Sequence, residues 1–506
     1  MRIKGRSRCP EFKLSQAASI MTASIQKVQG SAAVGMIRAE MNPASNRREG
    51  YPMRSTAEAG RAVCVAMAFA AFFYGCASAR RPVELAELSA GNKGFWATST
   101  CRGCHDQIAA EHVQSSHEMS FTNPVFQAQY RRDLLTKTAG NAGLYTEAEQ
   151  CISCHEPITF ATKGPGVIGL EEIDPGMNGV TCDICHTISG YRGPEPRNGN
   201  YITSPGDTKL GPLRSQENWH HAYSELQTRS EICAVCHEAV NRNGFQIKAT
   251  FTEWFESDFA RRGIQCQDCH MNVDGFLTAG EPQFSSGKAA RMTLGSAPER
   301  ERLYTHKFPG AHSRTQVEGA ITLSIETGPA GPDGNVPIEI TVDNARTGHS
   351  MPSGSADLRL LWLEVSARAG NLRFVLPAEV SAPDTSDETS AYSVAGLGPF
   401  DALLIGREVP NGSRVYRAIF CNGGGRATLD SYNAVEKLFD NRLKAGEKRR
   451  ESYRLTVPAE TEGGLLIEAT LKYLPYSSTF TARFGLPDPE AVVVASREKL
   501  VRVRIP

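Results

Sequence analysis

Residues 266–270 read Cys-Gln-Asp-Cys-His, two thiols and an imidazole within five positions. The spelling recurs as CRGCH at 101–105, CISCH at 151–155, CDICH at 182–186 and CAVCH at 233–237. Three chemistries compete for a Cys-x-x-Cys pair: zinc binding, thiol–disulfide exchange and covalent haem attachment. The histidine directly after the second cysteine decides among them. In Cys-x-x-Cys-His each thiol can add to a haem vinyl group while the imidazole ligates the iron. Zinc needs four ligands and gives no reason for a histidine at this fixed offset. A redox thiol pair needs a thioredoxin-like βαβ setting, which the Gly- and Pro-rich surroundings do not offer. The expectation is therefore five c-type haems. Cys101, Cys104, Cys151, Cys154, Cys182, Cys185, Cys233, Cys236, Cys266 and Cys269 would be the attachment points. His105, His155, His186, His237 and His270 would be the proximal ligands.

The spacing carries a second message. First cysteines fall at 101, 151, 182, 233 and 266, so long and short gaps alternate. The flanks agree: EQCISCHE (149–156) is similar to EICAVCHE (231–238), and NGVTCDICHT (178–187) to RGIQCQDCHM (262–271). This reads as a duplicated two-haem unit preceded by one further haem. Between the motifs the polypeptide is thin. Residues 187–215 are rich in Gly and Pro and read as irregular loop. Short helices are expected at HDQIAAEHVQSSHEM and FTEWFESDFARRG. Little apolar core is available over residues 100–310, so the porphyrins themselves would act as core and the haem-free chain would not fold.

The segments from CRGCH to SSHEMSFTNPVF, together with GVTCDICH, SEICAVCHE and EWFESDFARRGIQCQDCHM, resemble the cytochrome c554 and related multihaem cytochrome family. Seven histidines lie outside the motifs: His112, His117, His220, His221, His306, His312 and His349. The resemblance implies His117, in the SxH segment after the first motif, as a distal ligand. His112 stands where the family usually has a tryptophan and reads as a packing residue. ENWHHAYSE implies one distal ligand from His220 or His221. HKFPGAHS implies His306 and also offers His312, and NARTGHSMPSG implies His349. The supply covers five six-coordinate irons. Met119, Met271, Met292 and Met351 read as packing residues, because a thioether ligand would raise a potential.

Upstream, residues 62–75 (AVCVAMAFAAFFYG) form an apolar run preceded by Arg54 and Arg61. It is too short to span a bilayer and fits the h-region of a secretory signal. It ends at Gly75-Cys76 and resembles the lipobox of bacterial lipoproteins, with Phe73 where that pattern prefers leucine. Lipidation of Cys76 is one reading; an ordinary cleaved signal with an incidental cysteine is the other. Met53 would give a signal of normal length. Ala77 and Ser78 after the cysteine, in place of an aspartate, favour the outer membrane.

From about residue 316 the pattern changes. AITLSIE, VPIEITVDN, DLRLLWLEVSAR, RESYRLTVP, LLIEATLKY and VVVASREKLVRVRI are short apolar or alternating runs punctuated by turn signals. They read as a β-sandwich, and Cys421 within it reads as a small buried hydrophobe. The expected organisation is an upstream extension and export signal over 1–76, a mainly α or irregular pentahaem domain over 77–315, and an all-β sandwich over 316–506. The β domain would cover the last haem through His349 and offer a docking surface.

Lysine plus arginine equals aspartate plus glutamate at 55 each, which gives no basis for a nucleic-acid partner. The leading function is electron transfer through five mostly bis-histidine haems, with no catalytic side chain. Its partners would be redox proteins of the envelope, other cytochromes among them, and the membrane through a lipid anchor at Cys76. The location would be periplasmic or at the cell surface. The rival is a multihaem oxidoreductase acting on a small nitrogen or sulfur compound at an open iron.

Overall fold

The computed structural model describes residues 94–168, 177–214, 220–273, 283–291, 297–379, 388–458 and 463–503. The unit Met1–Pro82 lies outside them, and with it the expected export signal and Cys76. Val83–Pro506 form one compact unit. Among the described residues no helix is long and apolar enough to cross a membrane.

Cysteines three apart fall on one face of a single helical turn, and this part of the chain is built from such turns. The second motif ends the helix Ala142–His155, whose N-terminus is capped by the Asn141 side chain accepting from the Leu144 N–H. The third occupies Cys182–Cys185, the fourth ends Glu231–His237, and the fifth is Cys266–His270. The first straddles the end of Thr98–Arg102 and the start of Asp106–His112. The expected helix after the first motif stops at His112. The expected helix over FTEWFESDFARRG is two, Thr250–Phe255 and Asp258–Arg261.

Residues 187–215, expected as loop, contain strands. Ile188–Tyr191 pairs with Tyr201–Thr203, and Lys209–Gly211 runs parallel to His221–Tyr223. Glycines at Gly193 and Gly199, both at positive φ, let the chain reverse between the first two, so turn residues masked the short strands they connect.

After the helix Arg314–Val317 the structure changes to strands. Thr322–Thr327, Asn335–Asp343 and Lys448–Thr456 form one antiparallel sheet. Leu360–Ala369 joins Leu372–Leu376, Arg414–Tyr416 and Gly463–Leu474, which pairs in turn with Val492–Val503. A third sheet holds Ala418–Asn422, Ala427–Thr428 and Ala434–Asp440. Alternation is the cause: Val336, Ile338, Ile340 and Val342 point inward while Pro337, Glu339 and Thr341 do not. Facing them across the same core are Leu361, Leu363, Val365, Leu465, Ile467 and Leu471 of the larger sheet. Cys421 is fully buried, its thiol 3.3 Å from the Glu436 carboxylate.

The strands and the haem-motif segments share an interface. Arg442 and Glu253, both largely buried, form an ion pair at 2.8 Å. Glu253 also accepts from the Ser353 hydroxyl and the Ser350 N–H, and Arg442 donates to the Pro352 carbonyl. A Cβ on Gly348 would lie 3.2 Å from Trp254 and 3.4 Å from Phe259. The loop carrying His349 therefore presses onto the helices before the fifth motif.

Candidate haem sites

To hold an iron, a motif histidine would offer its Nε2 lone pair, which requires the proton on Nδ1. Carbonyl oxygens can only accept, so they set this tautomer where they face Nδ1. His105 Nδ1 donates to Ala289 at 2.9 Å, His155 Nδ1 to Ser120 at 2.7 Å, and His186 Nδ1 to Leu210 at 2.6 Å. His349 Nδ1 donates to the Ser350 carbonyl at 2.9 Å. Sequence reasoning missed these acceptors, because a backbone carbonyl has no signature in side-chain spelling.

Four imidazoles from outside the motifs stand opposite motif imidazoles. Ring centroids are 6.1 Å apart for His105 and His220, 6.1 Å for His117 and His237, 6.4 Å for His186 and His306, and 6.2 Å for His270 and His349. Two metal–nitrogen bonds of roughly 2 Å, plus the ring-centre-to-nitrogen distance at each end, fill this separation. The residues therefore fit an iron held between two imidazoles.

Packing places three of the four opposing rings. The carbonyl of His117 accepts from Val180, and Gly179, with φ at 80°, passes beneath: a Cβ there would lie 2.2 Å from the Glu118 carbonyl oxygen. His306 is held by its N–H donating to the Glu111 carboxylate and by Ser116, whose hydroxyl donates to the Pro309 carbonyl. The Asn344 side-chain amide and the Thr347 hydroxyl both donate to the His349 carbonyl. Burial first, then neighbouring histidines, hold His117 and His306 at about 3. Burial likewise holds His155, His237 and His270 at about 4. These rings are neutral donors near pH 7.

The remaining histidines are placed elsewhere. His221 Nε2 donates to the Leu213 carbonyl at 2.6 Å, so the nitrogen a metal would need is taken. His312 lies against Tyr476 at 6.0 Å. His112 is buried with its Nδ1 3.2 Å from the Glu118 carboxylate. None of the three faces a motif histidine. His155 is paired differently: Phe126 stacks on its ring at 3.8 Å, and among the described residues no histidine stands across from it. The aromatic and aliphatic lining there includes Phe121, Tyr130, Ile152 and Val167.

The motifs also touch one another. Cys101 lies beside Cys182, Cys154 beside Cys236, and Cys233 beside Cys266. Asp183 ties the first and third motifs further: it accepts from the Trp96 N–H, and its 2.6 Å ion pair with Lys209 places that ammonium over the Trp96 ring. The duplication expected from sequence pairs the second motif with the third. In space the second lies beside the fourth, its counterpart in the other copy. The fourth also meets the fifth and senses Cys185 of the third, so it has three neighbours. Among the described residues no group of three or more His, Cys, Asp and Glu side chains is gathered as a metal-ion site.

Residues 100–187 match the family described as cytochrome c554 and c-prime. The structure resembles a penta-haem cytochrome c552 from Thermochromatium tepidum with a TM-score of 0.57 at 18% identity, covering 80% of this chain and 99% of that one. A match to the N-terminal domain of the Streptococcus gordonii adhesin Sgo0707 covers 37% of this chain and 33% of that one at 7% identity and a TM-score of 0.16, too low to carry an argument. No curated protein matches. The family match over residues 100–187, the shared fold and the five motifs together support a multihaem c-type cytochrome.

Proposed function

We propose that this chain is an exported pentahaem electron carrier with four bis-histidine irons and one iron, at His155, lacking a second histidine. Its ligand pairs are His105 with His220, His186 with His306, His237 with His117, and His270 with His349. The observation that carries this reading is the set of four imidazole pairs at 6.1–6.4 Å. Bound haem supplies one-electron cycling of iron between its ferric and ferrous states. The protein's task is to hold ligands still while charge moves. Carbonyls of Ala289, Ser120, Leu210 and Ser350 fix the ring orientations, and neutral buried imidazoles keep the donor set unchanged across neutral pH. The closeness of the first and third, second and fourth, and fourth and fifth motifs supports electron hopping over short steps, with a branch at the fourth.

The two antiparallel sheets sharing one core support a β-sandwich beyond residue 316. The apolar run at 62–75 and Cys76 support export and lipid anchoring to the outer membrane. Redox proteins of the envelope and other cytochromes are then the partners, in the periplasm or at the cell surface.

One observation favours a second reading. His155 lacks an opposing histidine, so its iron could bind a small nitrogen or sulfur compound and reduce or oxidise it. A pyridine haemochrome with low-temperature EPR tests both readings. The carrier predicts five haems, four low-spin ferric signals and a fifth signal indifferent to nitrite, hydroxylamine and sulfite. A fifth signal that shifts with one of these compounds gives the oxidoreductase. A colourless protein, or two or more high-spin irons, would refute the ligand assignment.

A further inference from the structure

Asp357 is buried at 7% exposure, and neither carboxylate oxygen has a hydrogen-bond partner in another residue. It lies on the segment leading from the His349 loop into the strand Leu360–Ala369. That segment docks on a hairpin, Glu238–Val240 with Gln246–Ala249, that continues directly from the fourth motif. Thr250 Oγ1 lies 2.9 Å from Ser353 Oγ and accepts from the Gly354 N–H, while Phe245 and Ile247 pack against Ala356, Ala418 and Phe420.

Three charged groups act electrostatically on Asp357: Lys248 from the hairpin, Arg359 two residues along its own segment, and Asp430 from the turn before Ser431. Lys248 also acts on Cys151, Cys154 and His155 of the second motif and on Cys236 and His237 of the fourth. A buried carboxylate without a hydrogen-bonding partner is costly, so the group takes up a proton instead. Burial raises Asp357 to about 7, Asp430 adds to the rise, and Arg359 and Lys248 oppose it.

We propose that Asp357 is a redox-linked proton site, binding one proton when an electron enters the neighbouring haems of His155 and His237. The proposal rests on the haem reading above. In the step, a one-electron donor protein would reduce bound haem from its ferric to its ferrous state. The Asp357 carboxylate accepts one proton from solvent and becomes a carboxylic acid as an O–H bond forms; on reoxidation the electron passes to a one-electron acceptor protein, the O–H bond breaks and the proton returns to solvent. The electron lowers the local positive charge, which raises the carboxylate's affinity for a proton. By reciprocity the proton raises the affinity for the electron, so the potential falls as pH rises through the titration.

The test is a mediated potentiometric titration of the full-length, haem-loaded protein with dithionite as reductant, read by EPR and visible spectra from about pH 5 to about pH 9 around the neutral titration range. At least one midpoint should fall with pH near neutrality, approaching about 59 mV per unit, the one-electron equivalent of a tenfold change. Asp357→Asn should remove the slope. Lys248→Gln, which takes away an opposing cation, should keep the slope and move it to higher pH. A slope that survives in Asp357→Asn overturns the proposal, as do flat potentials in the wild type with five haems counted. A haemochrome count lacking the haems of His155 and His237 overturns the haem reading and takes the proposal with it.

Discussion

Upstream of residue 316 the buried side chains fall into small clusters under separate short helices, such as Phe95, Ile158, Ile184 and Leu226, or Phe251, Trp254, Phe259 and Ile264. Downstream, one continuous cluster runs through two sheets from Val317 to Val494. The strand part encloses its own hydrophobic interior. The helical part brings imidazoles of distant segments together between these clusters, and porphyrins would complete its core. The difference teaches that one chain can use two sources of apolar burial, amino acid and cofactor, within a single compact unit.

The most drastic way to break this contrast is to withhold haem. Produced in cells that cannot attach it, the chain should lose nearly all amide-exchange protection around its five motifs while Ile340, Ile467 and their neighbours stay protected. Equal protection in both parts would show that the helices need no porphyrin. Next in size, Arg442→Ala strands the Glu253 carboxylate at the interface. Removing one partner of a buried ion pair costs about 3–5 kcal/mol, so melting should drop and the two parts should unfold at separate temperatures. Ile340→Val should lower stability by about 0.5–1.5 kcal/mol, read by denaturant titration, and leave every haem spectrum unchanged. At the spectral level, His349→Ala should turn one low-spin iron high-spin. His221→Ala and His312→Ala should change no EPR signal; a new high-spin signal in either would reassign a ligand.

Much of this organisation was legible in the residues. The five motifs are local chemistry, spelled in five letters, and the strands at 335–343 and 463–474 announce themselves by alternation. The pairing of ligands was not legible in the same way, because His117 meets His237 and His186 meets His306 across long stretches of chain. Resemblance supplied His117, His306 and His349, but only packing separates His220 from His221, through the Leu213 carbonyl. Counting histidines offers enough rings for every iron, but a count says nothing of where each ring stands. His112 is engaged with Glu118, His221 with Leu213, and His312 lies against Tyr476, which leaves none for His155. The strands at 414–416, 418–422 and 434–440 were missed because charged residues such as Arg414, Glu436 and Lys437 interrupt their apolar pattern.

His349 grows from a loop moored by Asn344, whose side chain also donates to the carbonyls of Leu443 and Lys444. A chromophore bound to one part of the molecule would thereby acquire a handle in the other. Any mutation, protease cut or ligand that loosens the strands would register as a change in the absorption of the haem at His270. The protein would carry its own optical gauge of a region that contains no pigment.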